Sequence, residues 1–449
     1  MNETVKATPV CSFCGVEKTA EIPLIAGNDG HICEQCVKLA YQVVNSWGKR
    51  SGKPEPELKP PQAIKDFLDD YILGQEEAKK TLSVAIYNHY LRLKFQQEHE
   101  NLNLSSNHDA VELEKSNILM VGPSGTGKTL LVKTLARIIG VPFIIADATT
   151  LTQAGYVGED VDSLLKRLLD AADGDAQLAQ WGIIYIDEVD KLAKRNGGAS
   201  TSRDVSGEGV QQALLKMVEG SEVRLSKSSR RDSGEEITLN TQNILFIVGG
   251  AFPGLTDLIS ARLQPKQTGI GFNADIQTKK AITQQQLLTE IQPDDLLQFG
   301  LIPEFIGRFP IITFLQELDV ESLKRILLEP RNALTRQYRQ LFAFQHVDLQ
   351  FSDAALTYIA EQAHKRGTGA RGLRAMMESI LLSTMFHVPS AEQLQSCLVD
   401  LNTTEAGDES IQILEIFADG HTHEEMVPMD VPMDDEMAEP EAQPSSAQM

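Results

Sequence analysis

Gly122-Pro-Ser-Gly-Thr-Gly-Lys-Thr129 is the stretch on which the reading of this chain turns. Its spacing is G-x4-G-K-T. It follows an apolar run, Ile118-Leu-Met-Val121, and precedes the helical pattern Leu130 to Ile139. Strand, glycine-rich turn and helix in that order make a P-loop. Gly122, Gly125 and Gly127 let backbone N–H groups converge on phosphate oxygens, with Pro123, Ser124 and Thr126 completing the turn. The N-terminus of the following helix adds a favourable partial charge. Lys128 is placed to reach the β- and γ-phosphates, the Thr129 hydroxyl to ligate Mg²⁺, and Leu130 closes the nucleotide-contacting stretch. A plain glycine-rich turn is the alternative, and Lys and Thr at these two positions weigh against it.

Roughly sixty residues on comes Ile183-Ile-Tyr-Ile-Asp187-Glu188, an apolar strand ending in two carboxylates. In an open α/β sheet such an end lies at the carboxyl edge, beside the P-loop. Asp187 suits a place on or next to Mg²⁺, and Glu188 suits polarising the attacking water. Together the two motifs predict ATP hydrolysis, with Lys128, Asp187 and Glu188 as its residues.

Outward from this pair, short apolar runs alternate with helical periodicity. Ile118 to Val121, Phe143 to Ala146, Ile183 to Ile186, Ile244 to Val248 and Ile311 to Phe314 are five strand candidates. Helical patterns such as Val161 to Leu169 lie between them, which predicts an α/β fold with a doubly wound parallel sheet. After Glu317 the pattern turns mainly helical: Val320 to Leu328, Asn332 to Phe342, Asp353 to His364 and Ala370 to Phe386.

Three polar stretches punctuate the chain. Gly48 to Pro61 is rich in Lys and Pro and reads as a stiff spacer. Gln96 to Ser116 reads as an exposed loop. From Asp419 to Met449 there are nine acidic residues, no Lys or Arg and four Pro, a composition that cannot bury enough apolar surface to order itself. The domains expected are a metal-binding unit at 1–46, a linker at 47–62, a large domain at 63–316, a small domain at 317–418 and a disordered acidic tail at 419–449.

The 449 residues are 42% hydrophobic and 23% charged, with a formal charge of −22. Such acidity disfavours non-specific attraction to nucleic acid or anionic lipid. No apolar stretch approaches the roughly 20 residues of a membrane span, and Met1 to Val10 holds no apolar core of a secretory signal. The expectation is a cytoplasmic protein without a membrane partner. Cys11-Ser-Phe-Cys14 and Cys33-Glu-Gln-Cys36, eighteen residues apart, can place four thiolates about one Zn²⁺. Two disulfides are the alternative, disfavoured in a reducing compartment. Near these cysteines acidic residues outnumber Lys6, Lys18 and Lys38, which favours a protein-interaction role over DNA contact.

P-loop, Asp187-Glu188, a mainly helical C-terminal part and a four-cysteine unit together resemble the ClpX family, the AAA+ unfoldase subunits of the Clp protease, from about Cys11 to Phe417. The resemblance implies an AAA+ P-loop domain with a mainly helical small domain and an N-terminal zinc finger. It implies a homohexamer that threads tagged or adaptor-delivered protein substrates through its pore into the ClpP peptidase. Residue by residue, Ile72 in Tyr71-Ile-Leu-Gly-Gln75 resembles the segment around the adenine. Tyr156 and Val157 in Gly155-Tyr-Val-Gly158 resemble the first pore loop, and Arg203 in Arg203-Asp-Val-Ser-Gly-Glu-Gly209 the second. Ile270, Gly271 and Phe272 resemble the ClpP-docking loop. Arg308 in Pro303-Glu-Phe-Ile-Gly-Arg308 resembles the arginine finger, and Arg371 in Gly369-Ala-Arg371-Gly-Leu-Arg374 the sensor-2 arginine.

Three departures stand beside these matches. The family's Arg-Lys-His pore-entrance loop is not matched in Val223 to Asn240, where Lys227, Arg230 and Arg231 are the nearest basic cluster. Val248-Gly249-Gly250 offers no polar sensor-1 residue. The acidic tail has no counterpart in the pattern. A nucleic-acid-remodelling AAA+ ATPase with a zinc-ribbon DNA module is the rival reading, against which the acidity and the Gly-Tyr-Val-Gly string both weigh. A decayed ATPase kept as an adaptor is opposed by the intact Lys128, Thr129, Asp187 and Glu188.

Overall fold

The computed structural model describes residues 9–19, 22–27, 29–41, 58–101, 113–152, 159–194, 207–226, 236–263, 283–391, 393–403 and 409–427. The chain divides into two compact units, residues 1–56 and 57–449. In the first, β1 (Leu24–Ala26) and β2 (His31–Cys33) pair antiparallel with Leu24 opposite Cys33. The turn holding the first cysteine pair is closed by the Cys11 N–H to the Val16 carbonyl and the Gly15 N–H to that of Cys11, both 2.8 Å. Among the described residues of this unit only Cys11 and Cys33 are buried, so a core this small needs a further source of folding energy.

The second unit opens with α1 (Pro61–Asp69) and α2 (Glu76–Asn101). Then follow β3 (Ile118–Val121), α3 (Lys128–Ile139), β4 (Phe143–Asp147), α4 (Ser163–Ala171) and β5 (Ile183–Asp187). After α5 (Glu208–Glu219), the hairpin β6 (Glu222–Ser226) and β7 (Glu236–Asn240) leads to β8 (Leu245–Gly250). The short α6 (Pro303–Gly307) and β9 (Ile311–Phe314) complete the large domain. The five strands expected from the apolar runs form one sheet of order β9-β3-β8-β5-β4, every pairing parallel. Its strands read as unbroken apolar runs because both faces are covered. Ile118, Met120, Ile183, Tyr185, Leu245 and Ile247 face α1, α2 and α3, while Leu119, Val121, Ile184, Ile186, Phe246 and Val248 face the opposite core.

The small domain carries the expected helices α7 (Val320–Leu328), α8 (Leu334–Ala343), α9 (Asp353–Lys365) and α10 (Gly369–His387). It also carries a sheet that helical periodicity did not mark. β10 (Asp348–Phe351), between α8 and α9, pairs parallel with β11 (Leu394–Thr403), which pairs antiparallel with β12 (Glu409–Phe417) and through it with β13 (Thr422–Val427).

β13 corrects the disordered tail expected from 419 onward. The strand is charged and mostly exposed, yet it is ordered by pairing with β12 across a turn in which the Phe417 and His421 rings stack at 4.2 Å. Composition misleads there because an edge strand borrows its ordering from its neighbour's backbone. Residues 428–449 and most of the spacer, 47–57, lie outside the described residues. The exposed loop expected at Gln96 begins instead as helix, since α2 continues to Asn101.

Candidate functional site

The P-loop joins the end of β3 to α3 at the carboxyl edge of the sheet. Lys128, buried, donates from Nζ to the carbonyls of Gly122 at 2.6 Å and Pro123 at 3.0 Å. Burial holds its pKa below the usual lysine value; Asp187, Asp190 and Glu188 oppose the shift and the Arg371 charge adds to it. Arg371 is therefore electrostatically close to Lys128, although it belongs to the small domain.

The reason is a contact at Gly125. Its φ is +77°, its carbonyl accepts the Ala370 N–H at 3.1 Å, and a Cβ there would come within 2.4 Å of the Thr368 carbonyl oxygen. Only glycine lets α10 begin directly on the P-loop. Arg371, in the first turn of that helix, is exposed.

On the other flank, Asp187 ends β5 and accepts the Thr129 hydroxyl on Oδ2 at 2.8 Å. Its Oδ1 accepts the Glu188 N–H at 3.0 Å. Glu188 stands in the left-handed region at φ 57°, uncommon for a non-glycine residue, with its side chain exposed at the sheet edge. Thr129 and Asp187 thus form an oxygen pair of the kind a hard divalent cation takes, with an exposed carboxylate beside it. The Tyr71-to-Gln75 string packs on the same side: Ile72 is buried, and the Arg137 guanidinium of α3 lies 4.2 Å over the Tyr71 ring. Sequence reading assigns Gln75 no role, yet its side-chain amide donates to the Gln316 carbonyl at 2.9 Å and accepts the Gln316 N–H at 2.8 Å. That pair of hydrogen bonds ties the string to the junction between large and small domains.

Arg308 stands apart. It follows α6 and precedes β9, at the amino edge of the sheet, and its side chain is 52% exposed. Nε and Nη2 both reach Oε1 of Glu219, the last residue of α5, at 3.0 and 2.7 Å. Its carbonyl accepts Nδ2 of Asn117 at 2.9 Å, and Asn117 Oδ1 accepts the Phe246 N–H at 3.2 Å. Asn117 is 2% exposed and sits immediately before β3. The full length of that strand, about 13 Å for four residues, separates it from the P-loop. Asn117 and Glu219 escape sequence reading because their partners are 191 and 89 positions away.

Beside them, Lys115 donates from Nζ to the carbonyls of Val218 at 3.3 Å and Thr241 at 3.2 Å, and lies 4.6 Å over the Phe246 ring. Burial, with the nearby Arg92 charge, pushes its pKa down from 10.5 to about 7. Its proton is held less tightly in the folded state than in the unfolded chain. Between pH about 7 and 10.5 folding therefore releases a proton, and stability rises with pH across that window, by at most about 1.4 kcal/mol per pH unit. Lys115→Met should flatten this slope, as read by the midpoint of urea unfolding at pH 7 and pH 9. An unchanged slope would place the titration elsewhere.

Tyr156, Val157, Arg203, Ile270, Gly271 and Phe272 lie outside the described residues, as do Lys227, Arg230 and Arg231. In the first unit, the sulfur atoms of Cys11, Cys14, Cys33 and Cys36 all lie within 4.8 Å of one another, and none of the four cysteines is in a disulfide. Against burial, backbone N–H groups of Cys14, Cys33 and Phe13 draw the Cys11 thiol down toward the thiolate, while hydrogen bonding to Cys14 pushes Cys36 up, so the four share their protons as one set. A tight set of four sulfurs suits tetrahedral Zn²⁺. Cys397 is buried in the small-domain core, away from any such group. No helix among the described residues is long and apolar enough to cross a membrane.

Comparison with known proteins bears on the same three parts. Residues 9–46 match the family model of the ClpX C4-type zinc finger, residues 113–312 that of the AAA domain (Cdc48 subfamily), and residues 318–398 that of the C-terminal D2-small domain of ClpB protein. The chain is 63% identical over 417 residues to a protein of Azotobacter vinelandii named ATP-dependent Clp protease ATP-binding subunit ClpX, a match covering 92% of this chain and 93% of that one. With the ATP-dependent Clp protease ATP-binding subunit ClpX 3 of Methylococcus capsulatus it shares 54% identity over 404 residues, 89% of this chain and 93% of the relative. The clustered thiols, the P-loop facing a strand-end carboxylate pair on a five-stranded parallel sheet, and this similarity over nearly the whole length agree: the chain is a zinc-binding AAA ATPase and belongs to the ClpX family.

Proposed function

We propose that this ATPase works as a ring of identical subunits, a homohexamer, that unfolds protein substrates and passes them to the ClpP peptidase in the cytoplasm. The observation that carries the reading is the position of Arg308. Held by Asn117 at the amino edge of the sheet, it has the length of β3 between it and its own P-loop, more than its side chain spans. An exposed guanidinium so placed can serve ATP chemistry only in a neighbouring subunit's site, which makes the catalytic unit a head-to-tail interface of the kind a ring repeats.

Within one subunit, Lys128 leaves its loop carbonyls for the β- and γ-phosphates, while Gly122 to Leu130 wrap the phosphates and Ile72 packs on the adenine. Thr129 and Asp187 would hold Mg²⁺, which when bound neutralises charge on the phosphate oxygens. Glu188, exposed beside them, orients the attacking water. Arg371 senses the nucleotide from the small domain, and because α10 rests on Gly125, a change in the loop becomes a change in the angle between the domains. That motion drives Tyr156 and Val157, with Arg203, along the pore, gripping polypeptide by aromatic contact area rather than by sequence. Ile270, Gly271 and Phe272 dock on the peptidase, and adaptors bring selected substrates.

The test is ATP-dependent degradation of a tagged, stably folded reporter with and without ClpP. Tyr156→Ala should hydrolyse ATP at near the wild-type rate while unfolding the reporter about tenfold or more slowly. Deletion of Ile270 to Phe272 should spare unfolding and remove degradation. Unimpaired unfolding by Tyr156→Ala would relegate that residue to packing, and undiminished degradation by the deletion would move the docking surface elsewhere.

A further inference from the structure

Tyr185 lies in the middle of β5, two residues before Asp187, and is fully buried. Its hydroxyl makes no hydrogen bond of ordinary geometry. A buried polar atom left unpaired is costly and calls for an explanation. The ring belongs to the core that α3 covers, the cluster that also holds Leu131, Leu135 and Ile247. Its hydroxyl rises to the carboxyl edge of the sheet: a Cβ at Gly249, the penultimate residue of β8, would stand 2.3 Å from that oxygen. The Asp187 carboxylate and the Thr129 hydroxyl lie near enough to act on it, and these two meet each other at 2.8 Å.

These facts fit together. β8 ends in Val248-Gly249-Gly250 with no polar side chain to offer the nucleotide site. The space a side chain at 249 would fill is taken by a hydroxyl from the neighbouring strand, so glycine at 249 is what admits Tyr185. Each oxygen of Asp187 accepts one hydrogen bond in this structure, from Thr129 and from the Glu188 N–H. A carboxylate has about four acceptor positions, so room for another donor remains.

We propose that Tyr185 is a positioning residue of the magnesium site, supplying from β5 the polar group that β8 lacks. Its hydroxyl donates to the Asp187 carboxylate in the loaded state and fixes the carboxylate against which Thr129 is held. This rests on reading Thr129 and Asp187 as the magnesium pair. Outer-shell donors of this kind tune metal affinity about tenfold or more without touching the ion.

The experiment uses the full chain and Tyr185→Phe, which keeps the ring and deletes only the hydroxyl. Binding of a fluorescent ATP analogue is titrated with MgCl₂ and repeated in EDTA, and thermal unfolding of the nucleotide-free protein is followed in parallel. The expected result is a magnesium midpoint raised about tenfold, unchanged binding in EDTA, and an unfolding temperature equal to or above wild type. A midpoint within twofold of wild type overturns the proposal. So does an equal loss of binding in EDTA or a lowered unfolding temperature, either of which marks the hydroxyl as structural. Lys128→Ala separates the two levels. If it binds the analogue normally, the nucleotide-site reading falls and Tyr185's role with it. If it loses binding while Tyr185→Phe titrates like wild type, only the Tyr185 assignment falls.

Discussion

Glu188→Gln should bind ATP as wild type does and hydrolyse it at least about a hundredfold more slowly. The expectation follows from where the carboxylate stands. Asp187 and Thr129 are bonded to each other and the Glu188 N–H to Asp187, whereas the exposed Glu188 carboxylate has no bonded partner among the described residues and is the group proposed to orient the water. Glutamine keeps its size and the left-handed backbone but cannot take a proton from water. Steady-state phosphate release measures the loss, and retention of labelled ATP through gel filtration shows that binding survives. The same variant should trap unfolded substrate in the ring. Hydrolysis at the wild-type rate would remove Glu188 from the chemistry.

Arg308→Ala should lose turnover by about a thousandfold or more, the scale on which arginine fingers act, again with ATP binding intact. Its ion pair with Glu219 is half-exposed on both sides and worth at most about 1 kcal/mol, so it can hold the guanidinium between encounters without preventing its transfer to a neighbour's phosphate. The decisive measurement mixes two dead variants. Wherever an Arg308→Ala subunit presents its intact Glu188 to the intact arginine of a Glu188→Gln neighbour, a complete site is rebuilt. Mixed rings should therefore regain part of the turnover that neither variant has alone. No recovery in verified mixed rings would sink the trans assignment and, with it, the argument for an obligatory assembly.

Much of the site is legible in the amino-acid sequence, because its groups are close along the chain or sit at strand ends marked by apolar runs. Gly122 to Thr129 carries its strand, turn and helix within a few residues, and Asp187-Glu188 closes a run whose apolarity announces a buried strand. The four cysteines are legible for the same reason: two short knuckles need only fold toward each other. What escapes reading shares an opposite property. Asn117 reaches the carbonyl of Arg308, and Gln75 bonds Gln316 across 241 positions, in both cases through polar side chains with no periodicity to mark them. The small-domain sheet escapes because β10 lies between two helices and β13 is charged. Strand order likewise follows from pairing between distant segments, so five apolar runs predict a parallel sheet but not β9-β3-β8-β5-β4.

Local spacing is thus sufficient for the chemistry this chain can attempt: phosphate binding, a carboxylate pair for hydrolysis, a thiolate cage for zinc. Each depends on short-range backbone geometry that a few adjacent residues dictate. Where those groups act is settled by packing over long sequence distances. The sheet sends Arg308 to the edge opposite its own P-loop, seats α10 on Gly125, and brings the buried Tyr185 hydroxyl into the space that Gly249 leaves. Such placements come from contacts between segments that meet only when the core closes, and no stretch of the chain read alone contains them.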